Sequence, residues 1–360
     1  MKLNLLKKKT AFVFSGGASL GSIEIGALKA IVEEGIKADL VLGTSVGSLN
    51  GAMYAYNPTL EGVKIIEDIW RTINVWNVFT PSPTTPIASL TTMRQFLISP
   101  KNLRKLITEK IPYTRMEETE IPLYVIGTDI ARGEEVVFNE GLIIEALMSS
   151  ACIPSVFPPQ KMKDKTIVDG GVVNNAPIST AVRLGAERIV VFPIGTPSHG
   201  REPSHVAEMM IHTLIYILNR QLTTDLLFYK DQAEIILVPP PDSVDVWPND
   251  FSKSEQLIED AYNKVKNWLK SDGFGPNLDK ITLPCNVHEK PINLMESIPP
   301  KPPEKAVSRV NVGAKKTADV IEEEAEKMGK DIKDGIKKTK DTLKEKLSLR
   351  KKDKKKKDDK

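Results

Sequence analysis

The sequence has few residues of the kinds that build disulfide frameworks or metal sites. Only two cysteines, Cys152 and Cys285, occur in 360 residues. This excludes a disulfide-stabilised scaffold and favours a reducing compartment. Four histidines are present, but no His-Glu-x-x-His or Cys-x-x-Cys motif accompanies them. The sequence therefore predicts neither a metal site nor a bound cofactor.

A long uninterrupted apolar run is also missing. No stretch approaches the roughly 20 apolar residues of a membrane-spanning helix. The apolar residues near the amino terminus are interrupted by Lys7, Lys8 and Lys9, and no small-residue cleavage site follows them. This pattern does not match a secretory signal. We therefore expect a cytoplasmic protein whose membrane contact is peripheral.

The net charge is small, but the charges are unevenly distributed. Residues 301–360 contain 21 Lys and Arg against 13 Asp and Glu, a balance of +8 within a total of +3. The first 300 residues therefore carry −5, which gives an acidic body and a basic tail. Acidic residues are interspersed among the tail's lysines, and aromatic residues are absent. The tail therefore does not predict a nucleic-acid partner.

The first sixty residues alternate between strand and helix patterns. Residues 11–14 form a buried-strand pattern, and a glycine-rich stretch at 15–21 leads into a helix that ends at Gly35. A second strand ends at Gly43, and a second helix stops before Pro58. This order predicts a parallel sheet covered by helices.

Further elements are predicted along the chain. They are a helix near 60–71, a strand pair at 122–130 and 134–139, a buried strand at 189–195, and helices at 203–229 and 251–270. The strand pair favours a hairpin. The proline-rich segment 80–86 is either a surface loop or a lid over a cleft.

The pattern Gly-x-Ser-x-Gly places Ser45 between Gly43 and Gly47. Between a strand and a helix this pattern is a nucleophile elbow, whose glycines permit the tight turn that raises the serine hydroxyl. The positive end of the helix dipole stabilises a developing alkoxide there. A tight turn without chemistry is the alternative interpretation.

The stretch Ser15–Gly21, which we call the Gly-rich loop, follows the first strand. Such a loop can direct backbone amides at an oxyanion formed during acyl transfer. A phosphate-binding loop is disfavoured because the Lys-Ser/Thr ending is absent, and Ala18 interrupts the dinucleotide pattern G-x-G-x-x-G. A plain strand-to-helix turn remains an alternative.

A third motif, at 168–177, begins with Asp169 after a short strand, followed by Gly170 and Gly171. A carboxylate here is a candidate catalytic base if it lies within hydrogen-bond reach of Ser45. The sequence Asp-Gly-Gly is also common in turns without a catalytic role.

Four segments together resemble the patatin-like phospholipases. They are the glycine-rich opening at 12–36, the elbow at 43–55, the segment at 148–159 and the Asp-Gly-Gly segment at 168–181. The similarity extends from about Phe12 to Ile194. It implies an α/β patatin-like layered fold with a mostly parallel central sheet flanked by helices.

The resemblance also implies a Ser–Asp dyad without a histidine. Ser45 would be the nucleophile and Asp169 the proton acceptor. The oxyanion hole would be formed by backbone amides of Gly16, Gly17 and Ala18. Five further glycines would support these motifs: Gly21, Gly43, Gly47, Gly170 and Gly171. The implied activity is hydrolysis of lipid acyl esters through an acyl-enzyme intermediate.

Two positions depart from the family pattern. The family's third loop glycine is Ala18 here, which retains an N–H but adopts positive φ less readily. The family often has Arg or Lys where this chain has Leu20, so a cationic side chain that could hold a phosphate is missing from the loop.

A catalytic triad is the alternative to the dyad. All four histidines, His199, His205, His212 and His288, follow Asp169. The order Ser, Asp, His matches that of α/β-hydrolase triads. His199, which follows the strand predicted at 189–195, is the best placed of the four.

The domain boundaries follow from composition. We predict a catalytic domain at 10–290, with the motif-bearing core at 12–194, and a proline-rich linker at 291–305. An amphipathic helix at 306–349 is indicated by an eleven-residue repeat, seen at Val310, Ile321, Ile332 and Leu343. The basic terminus at 350–360 is expected to be disordered.

The tail leaves several functions open. It can contact an anionic lipid surface, pack as a right-handed coiled coil, stay unfolded until it is dried or bound, or remain a solvated helix. The chain as a whole is either an acyl hydrolase or a non-catalytic protein that binds lipid or granule surfaces. The presence of both Ser45 and Asp169 favours the enzyme.

Overall fold

The structure is a computed structural model that describes residues 8–79, 96–195, 203, 206–242, 244, 246–280 and 283–284. These residues all fall within one compact unit, Met1–Val287. Several predicted features lie outside the described residues: the segment 80–86, His199, His205, His288, the linker, the amphipathic tail and the basic terminus. No helix in the described ranges is both long and apolar enough to cross a bilayer.

The described residues form strands and helices in alternation. The strands are β1 (Thr10–Phe14), β2 (Leu40–Thr44), β3 (Leu123–Asp129), β4 (Glu134–Phe138), β5 (Gln160–Met162), β6 (Lys165–Asp169), β7 (Arg188–Phe192) and β8 (Glu234–Leu237). The helices are α1 (Gly21–Glu33), α2 (Val46–Tyr56), α3 (Leu60–Thr72), α4 (Val75–Val78), α5 (Lys101–Lys110), α6 (Ile143–Ser150), α7 (Ile178–Arg183), α8 (Val206–Tyr229) and α9 (Ser254–Ser271). Short 3-10 turns occupy Ala18–Leu20, Met116–Glu118, Gly170–Val172 and Phe251–Lys253.

These strands form one sheet in the order β5-β6-β3-β2-β1-β7-β8, and β4 pairs with β3 outside this path. The strands β3, β2, β1, β7 and β8 are parallel neighbours. The remaining strands β4, β5 and β6 join through antiparallel pairs. The predicted mostly parallel sheet is therefore confirmed, as is the antiparallel pairing of β3 with β4.

The sheet separates two hydrophobic clusters. In β1, Phe12 and Phe14 pack into a cluster that includes residues of α1, α2, α3 and α9. The alternate residues Ala11 and Val13 pack into a second cluster with α7 and α8. A strand that is covered on both faces needs apolar side chains at every position. This explains why residues 11–14 of β1 form a continuous apolar run.

The register of β3 brings two distant motifs together. The strand β2 runs parallel to β3, and its last residue Thr44 pairs with Ile126. The strand β6 runs antiparallel to β3, and its last residue Asp169 pairs with Gly127. Both strands therefore end at neighbouring positions of β3, one on each of its edges, and this brings the elbow close to the Asp-Gly-Gly turn.

Candidate active site

Ser45 occupies the sharp turn between β2 and α2. Its backbone has φ 53° and ψ −126°, a conformation that residues other than glycine rarely adopt. Such a residue stores about 1–3 kcal/mol of strain, which the surrounding structure must hold in place. Ser45 directly precedes α2, where the helix dipole is positive, and is only 8% exposed.

Gly43 and Gly47 allow α2 to lie directly on the sheet. A Cβ atom on Gly43 would be 2.5 Å from the carbonyl oxygen of Gly47. A Cβ atom on Gly47 would be 2.6 Å from the backbone of Phe14 in β1. Both distances are too short for any side chain. The two glycines around Ser45 are therefore required by packing.

Asp169 lies near Ser45, within the range at which the serine hydroxyl acts on its carboxyl. The carboxyl also accepts the backbone amide of Gly171 at 2.8 Å, and the residue is only 6% exposed. Burial raises the pKa of Asp169 to about 6, although the hydrogen bonds from Ser45 and Gly171 act in the opposite direction. Above that pH the carboxyl is ionised.

The Gly-rich loop packs against Ser45. A Cβ atom on Gly16 would be 3.1 Å from the Cβ of Ser45. The amide of Gly16 donates to the carbonyl oxygen of Asn175 at 3.2 Å, so this amide is already engaged. Among the residues that the structure describes, the amides of Gly17 and Ala18 have no acceptor. The loop thus offers two free amides where the sequence predicts three.

Ala18 adopts the conformation that its glycine counterpart in the family would adopt more easily. Its φ is 52°, in the left-handed region that costs an alanine about 1 kcal/mol. Ala18 and Ser45 line the same cavity. The substitution at this position therefore keeps the amide and the loop shape, at a small cost in strain.

The remaining predicted glycines act as close-packing positions. A Cβ atom on Gly170 would be 2.4 Å from the carbonyl oxygen of Ile126 in β3. One on Gly171 would be 3.2 Å from Oδ1 of Asp169, and one on Gly21 would be 2.7 Å from a methyl group of Val46. These glycines let both loops approach the elbow.

Ser45 lines an apolar cavity of about 100 Å³. Its lining comes mainly from α2, α3 and α5, and includes Val46, Leu49, Met53, Ile66, Leu103 and Phe157. The residues from α2 recur at helical spacing after Ser45, so one face of this helix forms a continuous apolar wall. A cavity of this chemistry suits a hydrocarbon chain.

Sequence reasoning missed two residues that support the pair. The hydroxyl oxygen of Ser150, at the end of α6, accepts the amide of Ser45 at 2.8 Å. The side-chain amide of Asn175 donates to the carbonyl oxygen of Gly16 at 3.2 Å. Both residues lie inside the recognised motif segments, but no spacing rule distinguishes them from their neighbours.

His212 is the histidine that falls within the described residues. It lies on α8, with its ring 6.4 Å from the ring of Trp247. It is neither a hydrogen-bond partner of Asp169 nor part of the cavity lining. The triad with His199 stays a prediction, because His199 lies outside the described residues. No cluster of three potential metal ligands occurs in the part of the chain described.

Together these features define an α/β protein in which a buried serine lies near a buried aspartate and lines an apolar cavity. The family model for patatin-like phospholipase matches residues 12–182. The chain therefore carries a patatin-like phospholipase domain, and the resemblance predicted from the motifs is confirmed.

Several characterised proteins are similar to this domain. Lysophospholipase NTE1 of Mycosarcoma maydis is 27% identical over 51% of this chain and 10% of its own length. Neuropathy target esterase sws of Drosophila melanogaster is 29% identical over 51% of this chain and 13% of its own. Human patatin-like phospholipase domain-containing protein 6 is 28% identical over 52% of this chain and 13% of its own length. The match therefore spans only a small part of each relative.

Solved structures resemble the chain more distantly. VipD from Legionella pneumophila has 15% identity and a TM-score of 0.39, covering 74% of this chain and 67% of its own. Human GIVD cytosolic phospholipase A2, in complex with methyl gamma-linolenyl fluorophosphonate, has 12% identity and a TM-score of 0.42, covering 73% and 58%. Similarity at this level does not support transfer of a function.

Proposed function

We propose that this protein is a serine acyl hydrolase that cleaves acyl esters of lipids. The observation that best supports the proposal is the buried carboxyl of Asp169 near Ser45, a serine that lines an apolar cavity. The family points to the same substrate class, and two of the relatives are named as a lysophospholipase and an esterase.

In the first half of the proposed reaction, the hydroxyl oxygen of Ser45 attacks the ester carbonyl carbon while Asp169 takes the hydroxyl proton. The carbonyl oxygen becomes an oxyanion, which the free amides of Gly17 and Ala18 stabilise. Each such donor is typically worth about 3–4 kcal/mol in the transition state. The carbon–oxygen bond to the alcohol then breaks, and the departing alkoxide takes the proton from Asp169.

In the second half, water attacks the acyl group on Ser45. Asp169 accepts a proton from this water, and the same two amides stabilise the second oxyanion. The acyl–serine bond breaks, the fatty acid leaves, and Ser45 recovers its proton from Asp169. The carboxylate must therefore be ionised at the start of each half-reaction, which the pKa of about 6 permits at neutral pH.

The acyl chain occupies the cavity in this proposal. The stretch of α2 from Ser45 to Met53 rises about 12 Å at 1.5 Å per residue, which sets the length of the apolar wall. The apolar cavity suits a hydrocarbon chain, and the alcohol part of the ester remains outside. A lipid with a single acyl chain fits this arrangement.

The basic tail is proposed to bring the enzyme to its substrate. The segment 306–360 combines the eleven-residue apolar repeat with an excess of lysine. Each well-placed lysine near an anionic surface contributes about 1 kcal/mol to binding. This composition supports peripheral contact with anionic lipid, and the proposal includes no nucleic-acid partner.

The test is hydrolysis of p-nitrophenyl butyrate and of a lysophospholipid by the wild type and three variants. Ser45→Ala and Asp169→Asn are expected to lower kcat by at least about 1,000-fold, because each removes one member of the dyad. His199→Ala is expected to retain wild-type kcat. All three proteins should keep the wild-type circular dichroism spectrum.

A large loss of kcat with His199→Ala would establish a triad and contradict the proposed dyad. A wild type that hydrolyses neither substrate, although it is folded, would favour the non-catalytic lipid-binding alternative.

A further inference from the structure

Glu24 is a buried acidic residue that the proposed reaction does not use. It lies in the first turn of α1 and is 0% exposed. One carboxyl oxygen accepts the amide of Ser15 at 2.7 Å, and the other accepts Nδ2 of Asn50 at 2.8 Å. Within the described residues no lysine, arginine or histidine bonds this carboxyl. Burial raises the pKa of Glu24 well above its usual range, while the bonds from Asn50 and Ser15 lower it.

The partners of Glu24 lie at both ends of the Gly-rich loop. Ser15 is the first residue of the loop, and its amide also reaches the carbonyl oxygen of Phe192 at 3.3 Å. Gly21 is the last residue, and its carbonyl oxygen accepts Nδ2 of Asn50 at 2.9 Å. Glu24 and Asn50 therefore hold the two ends of the loop and bond to each other.

Asn50 also bonds to the cavity wall. Nε1 of Trp70 donates to Oδ1 of Asn50 at 2.9 Å, and both residues line the cavity. The side-chain NH2 group of Asn50 donates to Gly21 and Glu24, and its side-chain oxygen accepts a hydrogen bond from Trp70. Every polar atom of this side chain is engaged, so its orientation is fixed by its partners.

We propose that Glu24 and Asn50 are positioning residues that clamp the Gly-rich loop and so aim the amides of Gly17 and Ala18 at the oxyanion. The inference rests on the proposed function, because it assigns a purpose to the shape of that loop. Neither residue is proposed to touch the reacting atoms.

A reciprocal exchange of donor and acceptor tests the clamp. In Glu24→Gln the introduced NH2 group faces the NH2 group of Asn50. In Asn50→Asp two carboxyl groups face each other. The double variant Glu24→Gln/Asn50→Asp keeps the net charge and the bonds from Ser15 and Trp70, and it restores a hydrogen bond between the pair. It loses the bond to the carbonyl oxygen of Gly21, which then faces a carboxylate oxygen.

The measurement is kcat for hydrolysis of p-nitrophenyl acetate. The concentration of active sites is determined for each variant by titration with a fluorophosphonate. The short acyl group leaves the cavity unfilled, so changes in the cavity wall do not affect the result. Each single variant is expected to lower kcat about tenfold or more, with little change in KM, because the oxyanion donors are misdirected rather than removed. The double variant is expected to exceed both single variants in kcat. The control Glu33→Gln, at the exposed end of α1, should match the wild type.

Trp70→Phe covers the case in which the single variants do not fold. It removes one hydrogen bond to Asn50 and keeps an aromatic ring, and a severalfold loss of kcat on the acetate is expected. The clamp would be overturned if the single variants, or Trp70→Phe, lost thermal stability but kept the wild-type kcat per titrated site. It would also be overturned if the kcat of the double variant were no higher than the product of the two single effects predicts. Failure of the proposed function is distinguishable from failure of the clamp. In that case the wild type would not hydrolyse the ester, or Ser45→Ala would leave its hydrolysis unchanged.

Discussion

A carboxyl group stands where many serine hydrolases have an imidazole. A general base works best when its pKa lies near the working pH. An exposed aspartate, with a pKa near 4, would be a weak base. Burial beside Ser45 raises the pKa of Asp169 to about 6, which brings this carboxyl into the range usually supplied by histidine. The environment of Asp169 therefore compensates for the absence of an imidazole in the proposed dyad.

The pH dependence of the activity follows from this pKa. The free enzyme is active when Asp169 is ionised, so kcat/KM on an uncharged ester should rise with pH, with a midpoint near 6. Below the midpoint it should fall about tenfold per pH unit. The measurement is a pH profile with p-nitrophenyl butyrate. Full activity maintained down to about pH 4 would contradict this role for the buried carboxylate.

Asp169 is also predicted to lower the stability of the fold. Its pKa is raised from 3.8 to about 6, so the native state binds this proton more tightly than the unfolded chain. Stability from this group is therefore lost as the pH rises from about 4 to about 6, and the loss is complete above that range. Two pKa units correspond to about 3 kcal/mol.

The variant Asp169→Asn removes this penalty. At about pH 7.5 it should unfold at higher denaturant than the wild type, with an increase in the free energy of unfolding of up to about 3 kcal/mol. At about pH 4 the advantage should shrink, because the wild-type carboxyl is then protonated. An increase in stability that is equal at both pH values would point to a cause other than ionisation.

Local patterns predicted most elements around the site. The residues of β1, β2, α1 and α2 carry their own apolar spacing and glycine boundaries, and they form where the sequence indicates. The pairing of β6 with β3 is different, because it depends on contacts between segments far apart in the chain. No local signal shows that Asp169 pairs with Gly127, next to the end of β2. The pairing of Ser45 with Asp169 is predicted by the family resemblance and not by the periodicity of the sequence.

Glu24 illustrates why part of the site could not be predicted. Glu33, the last residue of α1, and Glu34, which follows it, are exposed. The start of the same helix is covered by other elements, so it is buried on all sides. An acidic residue in such a segment is buried whatever its position on the helical wheel. The available signal was the apolar surroundings of Glu24, between Ile23 and Ile25.

The helix α2 is expected to limit acyl-chain length. Met53→Trp places a large ring in the apolar wall about 12 Å from Ser45. The ratio of kcat/KM for a p-nitrophenyl dodecanoate to that for the acetate should fall about tenfold or more, because the long chain loses space and the short chain does not reach Met53. The matched control is Ile65→Trp, on the exposed face of α3. An unchanged ratio in Met53→Trp would show that the chain lies elsewhere.

The whole chain combines an acidic body with a basic carboxyl-terminal tail. We expect the full-length protein to bind anionic vesicles more tightly than neutral ones, and the difference to decrease as salt screens the charges. Co-sedimentation with phosphatidylglycerol and phosphatidylcholine vesicles at low and high salt measures this. Equal binding to both vesicles would exclude an electrostatic role for the lysines at 306–360.

The most direct test of the Ser45–Asp169 assignment is covalent labelling with a fluorophosphonate, followed by peptide mass mapping. The wild type should carry one adduct, on Ser45, and His199→Ala should react at the wild-type rate. Asp169→Asn should react at least about 100-fold more slowly, because the proton of Ser45 then has no acceptor. An adduct on another residue, or a labelling rate that depends on His199 rather than Asp169, would contradict the proposed dyad.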